Sequence, residues 1–266
     1  MNVVQFLAAP FVMCLVMAGI HCYLGLHVLA RGVVFVDLSL AQVATLGAAV
    51  AIFMGVAPHS PAHYAFALAA TLLASLLFAF SRRLEKRISQ EALIGIVYAF
   101  ASAAVVLVLD RTPHGAEELK AALVGQILWV TWSDVLKTAL IYILVGSVHF
   151  FYRRQLIASS FKPGSRSWKT DLLFYGTFGL VITSSTQYAG VLLVFSLLIV
   201  PAVLGNLFLK TFRGQLLFGW AFGALLSLLG VYLSYIFDTP VGAFIVILFT
   251  LIPILVVTAL SVLKKD

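Results

Sequence analysis

From Leu172 to Leu209 the chain runs for 38 residues without a single Asp, Glu, Lys or Arg. As one helix that run would reach about 57 Å at roughly 1.5 Å per residue, nearly twice the ~30 Å hydrocarbon core of a bilayer. It must therefore cross a membrane twice. The polar cluster Ser184-Ser185-Thr186-Gln187 marks the expected break. The second crossing carries Pro201, which lipid tolerates when neighbouring helices satisfy the freed carbonyl. Composition extends the conclusion to the whole length. With 62% apolar and 10% charged residues, the chain has too little polar surface for a soluble globule.

The predicted fold is an all-α integral membrane bundle forming a single domain over residues 1–266. Spans are expected at 6–30, 33–56, 62–81, 92–109, 134–152, 172–187, 189–208, 216–237 and 240–262. The first thirty residues hold no Lys or Arg, so the start lacks the basic region of a cleaved signal peptide and reads as a retained span. Cys14 and Cys22 lie in that span, eight apart on one helix and too far apart to bridge. They read as small apolar fillers.

Nine spans put the two ends on opposite sides. If the first runs outside to inside, the inner segments collect Arg31; Arg82, Arg83, Lys86 and Arg87; Arg153, Arg154, Lys162, Arg166 and Lys169; Lys210 and Arg213; Lys264 and Lys265. That is 14 of the 17 Lys and Arg. Only Arg111, Lys120 and Lys137 remain opposite, which orients the N-terminus outside and the C-terminus in the cytoplasm. The net charge of +7 is thus spread over separate loops that face lipid headgroups, and it calls for no nucleic acid.

Two shorter segments pattern as surface helices. Between residues 110 and 134, Leu119, Leu123, Ile127 and Val130 recur at helical spacing among Glu117, Glu118, Lys120 and Gln126, predicting an amphipathic helix on the outer face. Trp129 and Trp132 at its end suit the interfacial aromatic belt. Residues 81–91, with Leu84 and Ile88 four apart among basic residues, predict a short cytoplasmic surface helix.

The second span carries residues foreign to lipid: Asp37, then Ser39, Gln42 and Thr45 at three-residue spacing. These face protein or water. Asp37 either pairs with Arg31 near the cytoplasmic end or serves a transport path, and Gln42 either bonds a neighbouring helix or serves the same path. Ala41, Ala44, Ala48 and Ala51 form a second face, small enough for close packing. His21, in the first span, is a further candidate for the path. His59 and His63 flank Pro61 in an outer loop, and His114 precedes Glu117 and Glu118. These nitrogen and oxygen donors could receive a divalent cation on the outer side, imidazole being a common ligand; the bland alternative is an ordinary polar loop.

No catalytic constellation appears: no Gly-x-Ser-x-Gly, no His-Glu-x-x-His, no cysteines at zinc spacing and no phosphate-binding loop. Any ATP must be hydrolysed by another chain. Gly32–Gly47 and Gly190–Gly205 are equal in length and agree at Gly32/Gly190, Val33/Val191, Val36/Val194, Leu40/Leu198, Ala44/Ala202, Leu46/Leu204 and Gly47/Gly205. Since the two helices would run in opposite directions, this is the pattern of an inverted repeat.

Four segments in order carry a resemblance: Arg31 to Gly47, Gly125-Gln-Ile-Leu-Trp129, Gly190 through Pro201-Ala202, and Asp238-Thr-Pro240-Val-Gly242-Ala243. Together they resemble the permease subunit of the ATP-binding-cassette importers for divalent metal ions, the zinc, manganese and iron uptake family. Members usually carry a Gly-Asp pair and Ser-His-Ala in the second helix. Aligned on Gly47, this chain has Asp37 at the glycine and Gln42 at the histidine; aligned on the aspartate, Gly47 shifts by one place. The family's cytoplasmic coupling loop reads like Ser-Phe-Asp, and here it is Ser160, Phe161, Lys162, Pro163. The resemblance implies a homodimer with no permanently bound cofactor, a cytoplasmic ATP-binding subunit, an extracytoplasmic metal-binding protein, and a divalent ion as cargo. The alternatives are an ion-gradient-driven secondary transporter, which would need several ionisable groups at mid-membrane depth, and a membrane scaffold without a transport path.

Overall fold

A computed structural model of the protein describes residues 3–81, 87–162, 164, 165 and 167–263. Among the described residues there are ten α-helices and no strand: α1 (Val3–Arg31), α2 (Val36–Phe53), α3 (Pro61–Ser81), α4 (Gln90–Leu109), α5 (Gly115–Val124), α6 (Trp132–Phe151), α7 (Arg153–Phe161), α8 (Trp168–Phe208), α9 (Phe212–Ile236) and α10 (Val241–Leu263). Eight of them are long and apolar enough to cross a membrane. The difference from the nine expected spans lies in α8, which holds two of them.

Ser185 Oγ lies 3.0 Å from His21 Nε2, and the Cys22 thiol points at the Leu197 carbonyl, 3.9 Å away. His21 and Cys22 are neighbours, whereas residues 185 and 197 of a straight helix would be about 18 Å apart. The chain therefore doubles back, and it does so at Gly190, whose φ of 71° and ψ of 168° interrupt the helix. The expected break at residues 184–187 is thus misplaced. Their hydroxyls bond back into the helix, Ser184 to Leu180, Ser185 to Val181 and Thr186 to Ile182, so polar character alone does not end it. A left-handed backbone does, and glycine adopts it without strain. A Cβ on Gly190 would also strike the backbone of Leu123–Gly125.

The predicted amphipathic helix is present but shorter than the periodicity suggests. It stops at Val124 because Gly125 turns to φ 76°, and a single 3₁₀ turn, Ile127–Trp129, follows. Gly125 backs onto Ala189, and Gly242 onto the Val124 carbonyl, so α5, the α8 reversal and the start of α10 meet backbone to backbone. In the predicted cytoplasmic helix, residues 82–86 lie outside the described residues, and 87–89 are non-helical. Ser89 there caps α4 by accepting from the Ala92 amide at 3.2 Å, as an N-cap serine does.

The contacts sort the loops into two ends. At one, Phe35 N donates to Glu91, Arg31 meets Asp171, and Phe80 stacks on Trp168. At the other, Gln126 N donates to the Tyr188 carbonyl and Phe6 meets Trp129 edge-on. The expected inner basic residues that are described all belong to segments at the first end. Between the ends, helices pack through small residues, as they must where lipid supplies no hydrophobic drive. Gly25 of α1 lies on Leu198 and Ala202, Gly47 of α2 on Phe66 and Ala67, Gly179 of α8 on Thr71 and Ser75, and Gly219 of α9 on Cys22 and Pro201. The two matching segments behave alike. Each opens at a positive-φ glycine, Gly32 at 69° and Gly190 at 71°, each runs on as a helix opposite in direction to the other, and each ends on a glycine, Gly47 or Gly205, against the next helix. The outward faces of α4, α6 and α10 stay apolar and exposed, with Leu107, Ile143 and Ile247 among them.

Candidate functional site

At the end where Gln126 meets Tyr188, α2, α3, α5 and the N-terminal half of α8 enclose a cavity of about 90 Å³. It adjoins a wider one of about 540 Å³ between the starts of α3 and α6. His59, Tyr64, Gln126 and Gln187 border both, so they form one cleft. Local chemistry explains its rim. Pro61 opens α3 where its missing amide costs nothing, and Ser60 Oγ accepts from the His63 amide at 3.2 Å. That turn brings the rings of His59 and His63 to 6.2 Å between centroids. His63 Nε2 is buried with no hydrogen-bond partner among the described residues.

The predicted mouth is therefore assembled only in part. His59 and His63 line the cleft together with Glu118 of α5. His114 does not line it; it pairs with Glu117 at 3.5 Å on the exposed surface. Among the described residues no three His, Cys, Asp or Glu side chains gather as a ligand set.

Inside the cleft, Thr45 is the residue of the predicted α2 stripe that lines the wall, facing Thr183, Thr186 and Gln187 of α8. Each threonine spends its proton on its own helix: Thr45 on Ala41 at 2.9 Å, Thr183 on Gly179 at 2.9 Å, Thr186 on Ile182 at 3.0 Å. The rest of the stripe continues along α2 toward the opposite end and is buried: Gln42 at 6% exposure, Ser39 at 0% and Asp37 at 1%. Ser39 Oγ and both Asp37 carboxylate oxygens have no partner among the described residues. A carboxylate buried without a partner is costly.

Asp37 does not pair with Arg31. The Arg31 guanidinium reaches the Asp171 carboxylate at 2.7 Å, Ser159 at 3.0 Å and Ser160 at 2.9 Å, and it lies 4.1 Å from the centre of the Phe174 ring. His27 Nδ1 adds a contact to Ser160 at 2.8 Å. Ser160 and Phe161, read from the sequence as loop, are thus the last residues of α7, clamped onto α1 and the start of α8. Phe161 packs on His27 and Phe212, Lys162 caps the helix, and Pro163 lies outside the described residues. His21 is likewise occupied away from the cleft: Nδ1 meets the Met17 carbonyl at 2.8 Å, and Nε2 meets Ser185, which bonds Tyr142 at 2.6 Å. The cleft residues missed from sequence include Gln126, Thr183, Thr186 and Gln187. The spacing of 183, 186 and 187 along one face of the expected 172–187 span was the signal that could have found three of them.

The bundle thus has a polar cleft at one end, a buried polar stripe leading from it and the clamped helix α7 at the other end. The chain is 31% identical over 174 residues to the "Manganese transport system membrane protein MntC" of Listeria innocua, the alignment covering 63% of this chain and 62% of that protein. The match thus spans a little under two thirds of that relative. It is 25% identical over 241 residues to the "High-affinity zinc uptake system membrane protein ZnuB" of Haemophilus influenzae, covering 88% of this chain and 89% of that one. The fold superposes on a chain of "PsaBC from Streptococcus pneumoniae in complex with Fab" with a TM-score of 0.76 at 21% identity, covering 93% of this chain and 90% of that chain. The sequence profile of the ABC 3 transport family matches residues 3–260, and with nearly the whole chain inside that match, this protein belongs to the ABC 3 transport family.

Proposed function

We propose that the chain is the membrane-spanning subunit of an ATP-driven importer that carries a divalent metal ion, zinc, manganese or iron, across a bacterial-type cytoplasmic membrane. The observation that carries this reading is the continuity between the outer cleft and the α2 stripe: His59 and His63 at the mouth, Thr45 in the wall, then Gln42, Ser39 and Asp37 on the same helix. Such a series of oxygen and imidazole donors suits a cation in transit, because each position binds it weakly enough to release it. The chain works as a homodimer. A separate cytoplasmic subunit hydrolyses ATP, and an extracytoplasmic binding protein delivers the ion to the mouth. The end that holds α7, with Ser160, Phe161 and Lys162, faces the ATPase. The 14-to-3 distribution of basic residues puts that end and the C-terminus in the cytoplasm and the N-terminus outside.

Cells stripped of their own divalent-metal importers and supplied with this chain, its ATPase and its binding protein should accumulate one of these ions, and an ATPase unable to hydrolyse ATP should abolish the uptake. In the same cells a membrane-impermeant thiol reagent should label Ala57→Cys without permeabilisation and Lys162→Cys only after it; native Cys14 and Cys22 are buried and stay silent. Uptake that persists with the dead ATPase and follows the proton gradient would instead make the chain a secondary transporter.

A further inference from the structure

Four consecutive hydroxyl residues, Thr183 to Thr186, stand about one turn before the reversal of α8 at Gly190. The helix does not run straight on past that point, so its last turn has to be held in rotation from the side. Among the described residues, Thr183, Ser184 and Thr186 bond carbonyls of their own helix and nothing else. Ser185 reaches two other helices. Its Oγ, on a fully buried side chain, lies 3.0 Å from His21 Nε2 of α1 and 2.6 Å from the Tyr142 hydroxyl of α6. Chemistry assigns the donors. The Met17 carbonyl can only accept, so His21 Nδ1, 2.8 Å away, carries the proton, and Nε2 of the neutral ring accepts. The single Ser185 proton serves Nε2 or the Val181 carbonyl at 2.6 Å, and in either case the Tyr142 hydroxyl donates to Ser185. Two helices thus grip one oxygen.

The far side of the same turn is the cleft wall. At about 100° per residue, Thr183, Thr186 and Gln187 stand roughly 100–160° round the helix from Ser185, and they line the cavity together with His59, His63 and Glu118. Ser185 lines neither cavity. Side chains reach about 5–6 Å from a helix axis, so a rotation of about 10° carries their tips roughly 1 Å. A binding constellation tolerates about half of that. We propose that Ser185 is the positioning residue of the cleft: gripped by His21 and Tyr142, it sets the rotation of the α8 arm and so where Thr183, Thr186 and Gln187 stand toward a passing ion. It acts through the arm and does not touch the ion. This proposal rests on the importer reading.

The test uses the complete importer in lipid vesicles, with its ATPase and its binding protein loaded with radioactive zinc, manganese or iron, and measures ions moved per ATP hydrolysed. Ser185→Ala should lower that ratio about tenfold, as for losing one or two hydrogen bonds, while the rate of ATP hydrolysis stays close to wild type. Tyr142→Phe keeps the ring and removes one donor, so it should lower the ratio about threefold. The double variant should fall no further than Ser185→Ala, because both changes act on one oxygen. In parallel, the rate at which an external thiol reagent labels Gln187→Cys should change when Ser185→Ala is added. A normal ratio with a lowered thermal midpoint would make Ser185 a packing residue and overturn the proposal, as would an unchanged labelling rate or additive losses in the double variant. Should Ser185→Ala not accumulate, Tyr142→Phe decides the matter, and a normal ratio in it overturns the proposal. A wild-type importer that moves none of the three ions would instead overturn the importer reading, and the labelling comparison, which needs no transport, would still read the rotation.

Discussion

Replacing Arg31 with methionine should destabilise the protein by about 3–5 kcal/mol, the usual cost of removing one member of a buried ion pair. The side chains of Arg31 and Asp171 are 1% and 3% exposed, 2.7 Å apart, so the variant takes the guanidinium away from a buried carboxylate. It also deprives Ser159 and Ser160 of the guanidinium that holds the end of α7. The check is the thermal midpoint in detergent of Arg31→Met, Asp171→Leu and the double variant. The double variant should lose much less than the sum of the singles, because it removes both members of the pair together. Additive losses, or an unchanged midpoint in Arg31→Met, would show that the pair does not hold the bundle together. Uptake should fall further than stability alone explains, since the clamp joins the proposed ATPase-facing helix to α1 and α8.

Gln42→Leu should reduce metal uptake to background while protein level and the proposed dimer stay nearly unchanged. The substitution removes a polar donor without adding bulk, at a position only 6% exposed on α2, one turn from Thr45 toward Ser39 and Asp37. A continuous series of polar positions is broken at its middle. Gln42→His should behave differently. It should retain transport and shift selectivity toward zinc-like ions, for which imidazole is the better ligand. Normal transport by Gln42→Leu would reduce the stripe to interhelical packing and remove the path assignment, while the fold and the family would stand.

Much of this molecule could be read before it was seen, and the residues that could be read share a physical cause. Lipid demands long apolar helices, so the crossings appear as uncharged runs and their ends as basic clusters. The small-residue pattern of α2 and the glycines at 47 and 205 were equally legible, because close helix approach excludes a Cβ. Sites built from several helices were not. Arg31 is six residues from Asp37 and 140 from Asp171, and no local pattern tells which carboxylate the fold will bring to it. His21 sits in a span like a candidate ligand, yet its partners come from α6 and α8. His114 looked equivalent to His59 and His63 until the turn before α5 sent it to the surface.

The break in the long apolar run shows where the boundary lies. Length and lack of charge were sufficient to require two crossings in 172–209, since no bilayer accommodates a single helix of that reach. They could not locate the reversal, because Ser184, Ser185 and Thr186 satisfy their hydroxyls within the helix whether or not a turn is near. Tertiary structure placed it at Gly190, the residue whose backbone must pass against Gly125 and Leu123. The membrane class, the crossings and the distribution of charge were thus determined by the sequence alone, through the cost of moving each residue into lipid. Only the packed bundle decided which polar side chains share a cavity, because that depends on helix rotation and pairing, which are set by contacts far apart in the chain.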